Sequence, residues 1–172
     1  MSPESPMRRL LVLRHAKSSW KHPKLSDHDR PLNKRGKHDA PQIGRLLRQQ
    51  RLSPGAIISS TAKRARRTAE EVARSSTFDG AVQLDPRLYL ADPATILDVV
   101  RRADPDTRRV MVVAHNPGLE ELIRHLTGKD ESLPTAALAQ IRLQLDHWRD
   151  LQIGISGQLV NLWRPSELND DG

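Results

Sequence analysis

Arg8-Arg9-Leu10-Leu11-Val12-Leu13, followed by Arg14-His15-Ala16-Lys17-Ser18-Ser19, is the stretch on which the fold turns. Four consecutive Leu and Val residues behind two arginines read as a strand buried on both faces. Arg14 and His15 then stand where that strand ends. Open α/β sheets bind ligands beyond the carboxyl ends of their strands, so this is a functional address for a nucleophilic imidazole and a phosphate-binding guanidinium. The pair alone is equally at home as a surface arginine beside a packed histidine. Two later junctions decide between these readings.

Downstream, the polar stretch Ser18 to Lys34, with Trp20, reads as a loop long enough to wall a site. Asn33 is placed to N-cap a helix from about Lys34 to Gln50, with Ala40, Ile43, Leu46 and Leu47 as its buried stripe. Ser53-Pro54-Gly55 ends it. Ala56–Ser59 forms a second strand, and Ser60 or Thr61 caps a helix from Ala62 to about Arg74, with Arg64 just inside. Val82–Leu84 is a minor strand, Leu88–Asp92 a loop, and Pro93 opens a helix through Val100. Arg109–Ala114 is the clearest buried strand; His115 follows it, with Asn116 as N-cap and Pro117 as first helical residue of a helix ending near Gly128. Ala137–Leu145 and Leu159–Trp163 alternate as two late strands in a hairpin-like arrangement. Strands alternating with helices predict a three-layer α/β/α sandwich around a mostly parallel central sheet. In such a sheet the three junctions converge on one edge, where helix N-termini add further anion donors.

The chain of 172 residues suits one domain, expected over residues 7–165, with residues 1–6 and 166–172 as flexible tails. A net charge of +7 favours anionic partners: phosphorylated metabolites, phosphoproteins or nucleic acid. The absence of cysteine excludes a disulfide framework, a thiol nucleophile and Cys-ligated zinc. No apolar run reaches the length of a membrane span and residues 1–6 lack a signal-peptide core, so a cytoplasmic protein with no membrane partner is expected. Lys63-Arg64-Ala65-Arg66-Arg67 is a basic cluster, but no groove-reading motif accompanies it and nucleic-acid binding is disfavoured. His22, His28, His38, His125 and His147 lack metal-ligand spacing and read as surface or packing residues. Oligomeric state is left open.

Four motifs in order carry a resemblance. Leu13-Arg14-His15-Ala16-Lys17-Ser18, Arg30-Pro31-Leu32-Asn33-Lys34-Arg35-Gly36, Ser59-Ser60-Thr61-Ala62-Lys63-Arg64 and Val112-Val113-Ala114-His115-Asn116-Pro117 together resemble the histidine phosphatase superfamily, of phosphoglycerate-mutase-like fold. Within it the chain is similar to the small phosphohistidine phosphatases, departing by Ala16 where most members have Gly and by Thr61 where Pro is common. The resemblance implies that His15 attacks phosphorus and carries a transient phosphoryl group. Arg14, Arg64 and His115 would bind the phosphoryl oxygens, His115 acting protonated against a dianionic substrate. Arg30 would add a contact at the rim, with Ser18 and Asn116 as further substrate-binding residues. No metal and no cofactor is called for.

Larger members place an acidic residue after the third strand to protonate an alkoxide leaving group. Tyr89 stands at that point here, with Asp92 as an acid able to swing in. Lack of a positioned acid favours protein phosphohistidine, whose leaving nitrogen can be protonated beforehand. The alternatives are a small-metabolite or nucleotide phosphatase of the same fold, or a non-catalytic phospho- or nucleic-acid-binding module.

Overall fold

The computed structural model describes residues 7–168. Six strands form one sheet: β1 (Met7–Arg14), β2 (Ala56–Ser59), β3 (Gln83–Leu84), β4 (Arg109–Ala114), β5 (Leu138–Gln144) and β6 (Gly157–Trp163). Four helices pack on it: α1 (Lys34–Gln49), α2 (Lys63–Ser75), α3 (Pro93–Val100) and α4 (Gly118–Thr127). The strand order is β3-β2-β4-β1-β5-β6. β1, β2, β3 and β4 are mutually parallel, whereas β5 runs antiparallel to both β1 and β6. The α/β sandwich and the late hairpin follow the sequence pattern.

Alternation along the strands divides the core into two layers. Leu11, Leu13, Ile57, Met111 and Val113 face the apolar stripes of α1 and α2. Leu10, Val12, Ile58, Val110 and Val112 face α3, α4 and the buried Trp148. Covering both faces explains why β1 and β4 are uninterrupted apolar runs.

Asn33 N-caps α1 as expected, its Oδ1 accepting from Gly36 N–H at 2.8 Å. Other caps differ from expectation. α2 begins at Lys63 with Ala62 as N-cap; a methyl group cannot accept a hydrogen bond, and Ser60 Oγ instead accepts from the Ala62 N–H at 3.2 Å. α4 begins at Gly118 with Pro117 as N-cap; Asn116 stands one residue outside, and its Oδ1 still accepts from Glu120 N–H at 3.3 Å. At the carboxyl end, Pro165–Glu167 forms a short turn and Leu168 packs against the core, so packed chain continues beyond the expected boundary at residue 165. The rest of the two expected tails, residues 1–6 and 169–172, lies outside the described residues.

Candidate active site

Strand register assembles the site. Arg14 is paired with Ala114 across β1 and β4, so the next residues, His15 and His115, emerge side by side. Their ring centroids are 5.0 Å apart. Ser59 pairs with Val113, which places Ser60 against the same end of β4, where its N–H donates to the Val113 carbonyl at 2.9 Å. A cavity of about 260 Å³ opens over these ends. Arg14, His15, Arg64 and His115 line it, as do Arg30, Ser18 and Asn116, so every site residue expected from sequence faces one space. Lys17, Trp20, Leu90 and Thr135 complete its wall.

Hydrogen bonds orient both imidazoles. His15 Nδ1–H donates to the Ala16 carbonyl at 2.8 Å, and a carbonyl can only accept, so Nε2 keeps its lone pair. Ala16 N–H in turn donates to Thr68 Oγ1 of α2 at 2.9 Å, fixing the turn after the strand. His115 Nε2 lies 2.8 Å from Ser60 Oγ. That hydroxyl accepts from Ala62 N–H and can give its own proton to Nε2, an arrangement that puts the ring's N–H on Nδ1. Burial, helped by the neighbouring guanidiniums, pulls the pKa of His15 down to about 4. Burial and the adjacent His15 pull that of His115 to about 3. Both shifts favour the neutral ring in the free site, whereas the expected protonated His115 concerns the site with a dianion bound. A dianion against it would reverse the balance.

Eight buried side-chain nitrogens lack a hydrogen-bond partner among the described residues, and five belong to this cavity: Arg14 Nε, Arg30 Nε and Nη1, Arg64 Nε and His115 Nδ1. Unsatisfied buried donors are costly, and their concentration in one cationic hollow suits an anion with several acceptor oxygens.

The loop after β1 contributes more than a wall. Arg64 is only 4% exposed; its two terminal nitrogens donate to the Asp27 carbonyl at 2.6 Å and to Asp27 Oδ2 at 2.9 Å. Asp27 also meets Arg30 at 3.3 Å and accepts from the Tyr89 hydroxyl at 2.5 Å. The Tyr89 and Arg64 bonds hold the Asp27 carboxyl below its usual range, and Asp27 in turn pushes the Tyr89 phenol upward. Tyr89 packs edge-on against His115, 5.4 Å between centroids, and against His28, whose Nε2 is 2.9 Å from Thr61 Oγ1. Trp20 lies over the Arg30 guanidinium at 3.5 Å. Sequence reasoning missed Asp27, and the loop's length was the only trace of it. It also missed half the role of Ser60, expected as a helix cap and found supporting His115 as well.

Two expectations are redrawn. Asp92 is the exposed N-cap of α3, accepting from Thr95 N–H at 2.9 Å, a bond that lowers its pKa; it does not line the cavity. The basic cluster at 63–67 is divided: Arg64 is buried in the site, while Arg66 and Arg67 pair with Glu70 along α2.

Gly36, in the first turn of α1, allows that helix to press on the site. A Cβ there would lie 2.2 Å from the Lys17 carbonyl oxygen, which accepts from Asn33 N–H at 3.0 Å.

Residues 10–89 match the model of the histidine phosphatase superfamily, branch 1. The uncharacterized protein Rv1276c of Mycobacterium tuberculosis is 32% identical over 153 residues, covering 83% of this chain and 93% of that protein. A structure assigned as the phosphohistidine phosphatase SixA of Agrobacterium tumefaciens superposes with a TM-score of 0.76 at 29% identity, over 92% of this chain and 98% of the other. The protein histidine phosphatase SixA complexed with tungstate has the same fold, with a TM-score of 0.75 at 21% identity over 94% and 99% of the two chains. Paired histidines, converging arginines and these likenesses lead to one assignment: the chain belongs to the histidine phosphatase superfamily and is built like its small phosphohistidine-phosphatase members.

Proposed function

We propose that this protein hydrolyses phosphohistidine in proteins, through a phosphoryl group carried transiently on His15 and without a metal ion. His15 Nε2 forms the new N–P bond as the bond to the leaving imidazole breaks; water then cleaves the His15 adduct and releases phosphate. Arg14, Arg64, Arg30 and the Nδ1–H of His115 meet the oxygens over which charge spreads. Ser18 and Asn116 complete the cradle. Those cations perform the charge stabilisation that a divalent ion supplies elsewhere.

One observation carries the choice of substrate: Tyr89, the residue at the expected acid position, and the carboxylates Asp27 and Asp92 are each poorly suited to protonating a leaving group. Tyr89 holds its proton tightly, Asp27 is held ionised by its partners, and Asp92 is ionised and committed to α3. An alkoxide leaving group needs such a proton; an imidazole that arrives protonated does not.

Turnover of a chemically phosphorylated histidine peptide, p-nitrophenyl phosphate and a phosphoserine peptide, each in EDTA, tests the reading. The histidine and aryl substrates should react, with phosphoserine slower by about 10²-fold or more, the usual contribution of general acid catalysis. Equal rates on phosphoserine would refute the phosphoramidate preference, and loss of all activity in EDTA would refute the metal-free cradle.

A further inference from the structure

Six of the seven lysines fall between residues 17 and 63, and four of them, Lys21, Lys24, Lys37 and Lys63, line two hollows beside the cavity. Where Trp20 and Arg30 close the cavity wall, their chain neighbours Lys21 and Pro31 line a second hollow of about 460 Å³. Pro31 and Lys63 line it jointly with a third hollow of about 480 Å³, so the two run together as one groove leading away from the site. Its floor is apolar, from Pro23, Leu25, Pro31, Leu32 and Pro41. Its rim is basic, from Lys21, Lys24, Lys37, Lys63 and Arg67.

Glu71 is the single acid lining the groove, and Arg74 pairs with it. Asp27 and Asp29, the acids of the neighbouring loop, are spent locally: Asp27 on Arg64 and Arg30, Asp29 on Ser26 and His28. Lys21, Lys24, Lys37 and Lys63 have no acid within 4.0 Å among the described residues. Charge is thus segregated, with the carboxylates engaged by local partners and the ammonium groups left for something outside. Surface lysines scattered at random would not border an apolar floor that adjoins the cavity wall through Pro31, the neighbour of Arg30.

We infer that this groove docks an acidic segment of the protein substrate, laying Asp and Glu side chains against the lysine rim and apolar side chains on the proline-lined floor while the phosphorylated residue enters the cavity. This deepens the proposed function and rests on it for the identity of the phosphorylated residue. A protein fits better than a nucleic acid because the floor is made of aliphatic and proline surfaces, with His22 the single aromatic ring lining the groove.

Two measurements separate docking from chemistry. Fluorescein-labelled twelve-residue peptides without phosphate, one flanked by Asp and Glu and one by Ser and Gln, are titrated by anisotropy; their phosphohistidine forms are assayed for turnover. The acidic peptide should bind at least about tenfold more tightly, with the advantage shrinking as salt screens it. The triple variant Lys21→Glu, Lys24→Glu, Lys63→Glu should abolish that advantage while p-nitrophenyl phosphate turnover, which also reports correct folding, stays at the wild-type rate; the corresponding Gln variant should give an intermediate loss. Equal binding of the two peptides, or an acidic preference surviving in the triple variant, would overturn the docking groove. So would a single-stranded oligonucleotide displacing the acidic peptide at lower concentration than the peptide's own unlabelled form. Tight acidic binding without phosphohistidine turnover would uphold the groove and refute the substrate assignment instead.

Discussion

The two halves of the site are made differently. The half at the strand ends, Arg14-His15 and His115 with Ser60 behind it, is set by the registers of β1, β2 and β4, with both imidazoles and Ser60 buried. The half contributed by the loop before α1 is irregular and mostly exposed; its order comes from a few side-chain contacts. Asp27 grips Arg64 and Arg30, and Trp20, 77% exposed, rests on Arg30. In the proposed reaction the first half carries the chemistry and the second adjusts what reaches it: a rigid sheet can hold a reacting atom to within the tolerance that catalysis demands, whereas a loop can change its contacts without disturbing the core.

The sharpest way to break this division is at the nucleophile. His15→Ala should remove turnover almost completely, with circular dichroism and melting unchanged in form, since the loop half would remain intact. Retention of more than about a hundredth of the wild-type rate would move the phosphoryl carrier elsewhere.

A smaller effect should appear in stability. Both site histidines have folded-state pKa values, about 4 and about 3, below the ordinary 6.5. The unfolded chain therefore takes up these protons first as pH falls. Stability present above pH 6.5 is lost as pH drops toward the folded values, by about 2 kcal/mol for each ring near pH 4.5. Melting curves across this range should fall less steeply for His115→Gln than for the wild type, by about half of the histidine contribution. Superimposable curves would mean that the strand-end half is wetter than its geometry implies.

The smallest effect belongs to the loop half. Asp27→Asn removes one negative charge from the mouth of a cavity that receives an anion, so inorganic phosphate should inhibit about threefold more tightly. Weaker inhibition would show that Asp27 matters chiefly by holding Arg64 in place.

The same division governs what could be read from the chain alone. Strand ends were legible because a continuous apolar run marks a buried strand and its last residue marks the sheet edge. Arg14, His15 and His115 follow from that logic, and Arg64 follows from the helix start. Asp27 carries no such mark: it sits in Ser-Asp-His-Asp, and only a single helical turn at Asp27–Asp29 brings it to a guanidinium 37 positions away. Ser60 and Asn116 show a subtler limit. At a strand-to-helix junction a short polar side chain can cap its own helix or reach across to a neighbour, and local sequence does not choose. Both residues do both: Ser60 Oγ accepts from Ala62 N–H at the entry to α2 and meets His115, and the Asn116 amide donates to the Leu133 carbonyl while its oxygen holds the start of α4.

Gly36 gives this arrangement a weak point directly behind the cavity wall, at a residue that does not itself line the cavity. The missing side chain there lets α1 sit directly on the carbonyl two residues past the nucleophile, so a single added methyl must shift either the helix or the turn that aims His15. Inheritance of the reaction thus depends on a position with no chemistry of its own. A population of variants drifting freely over the loop's surface would find its exposed residues forgiving and this one unforgiving, and a lineage that lost the glycine would keep every reacting group yet lose the alignment that makes them a catalyst.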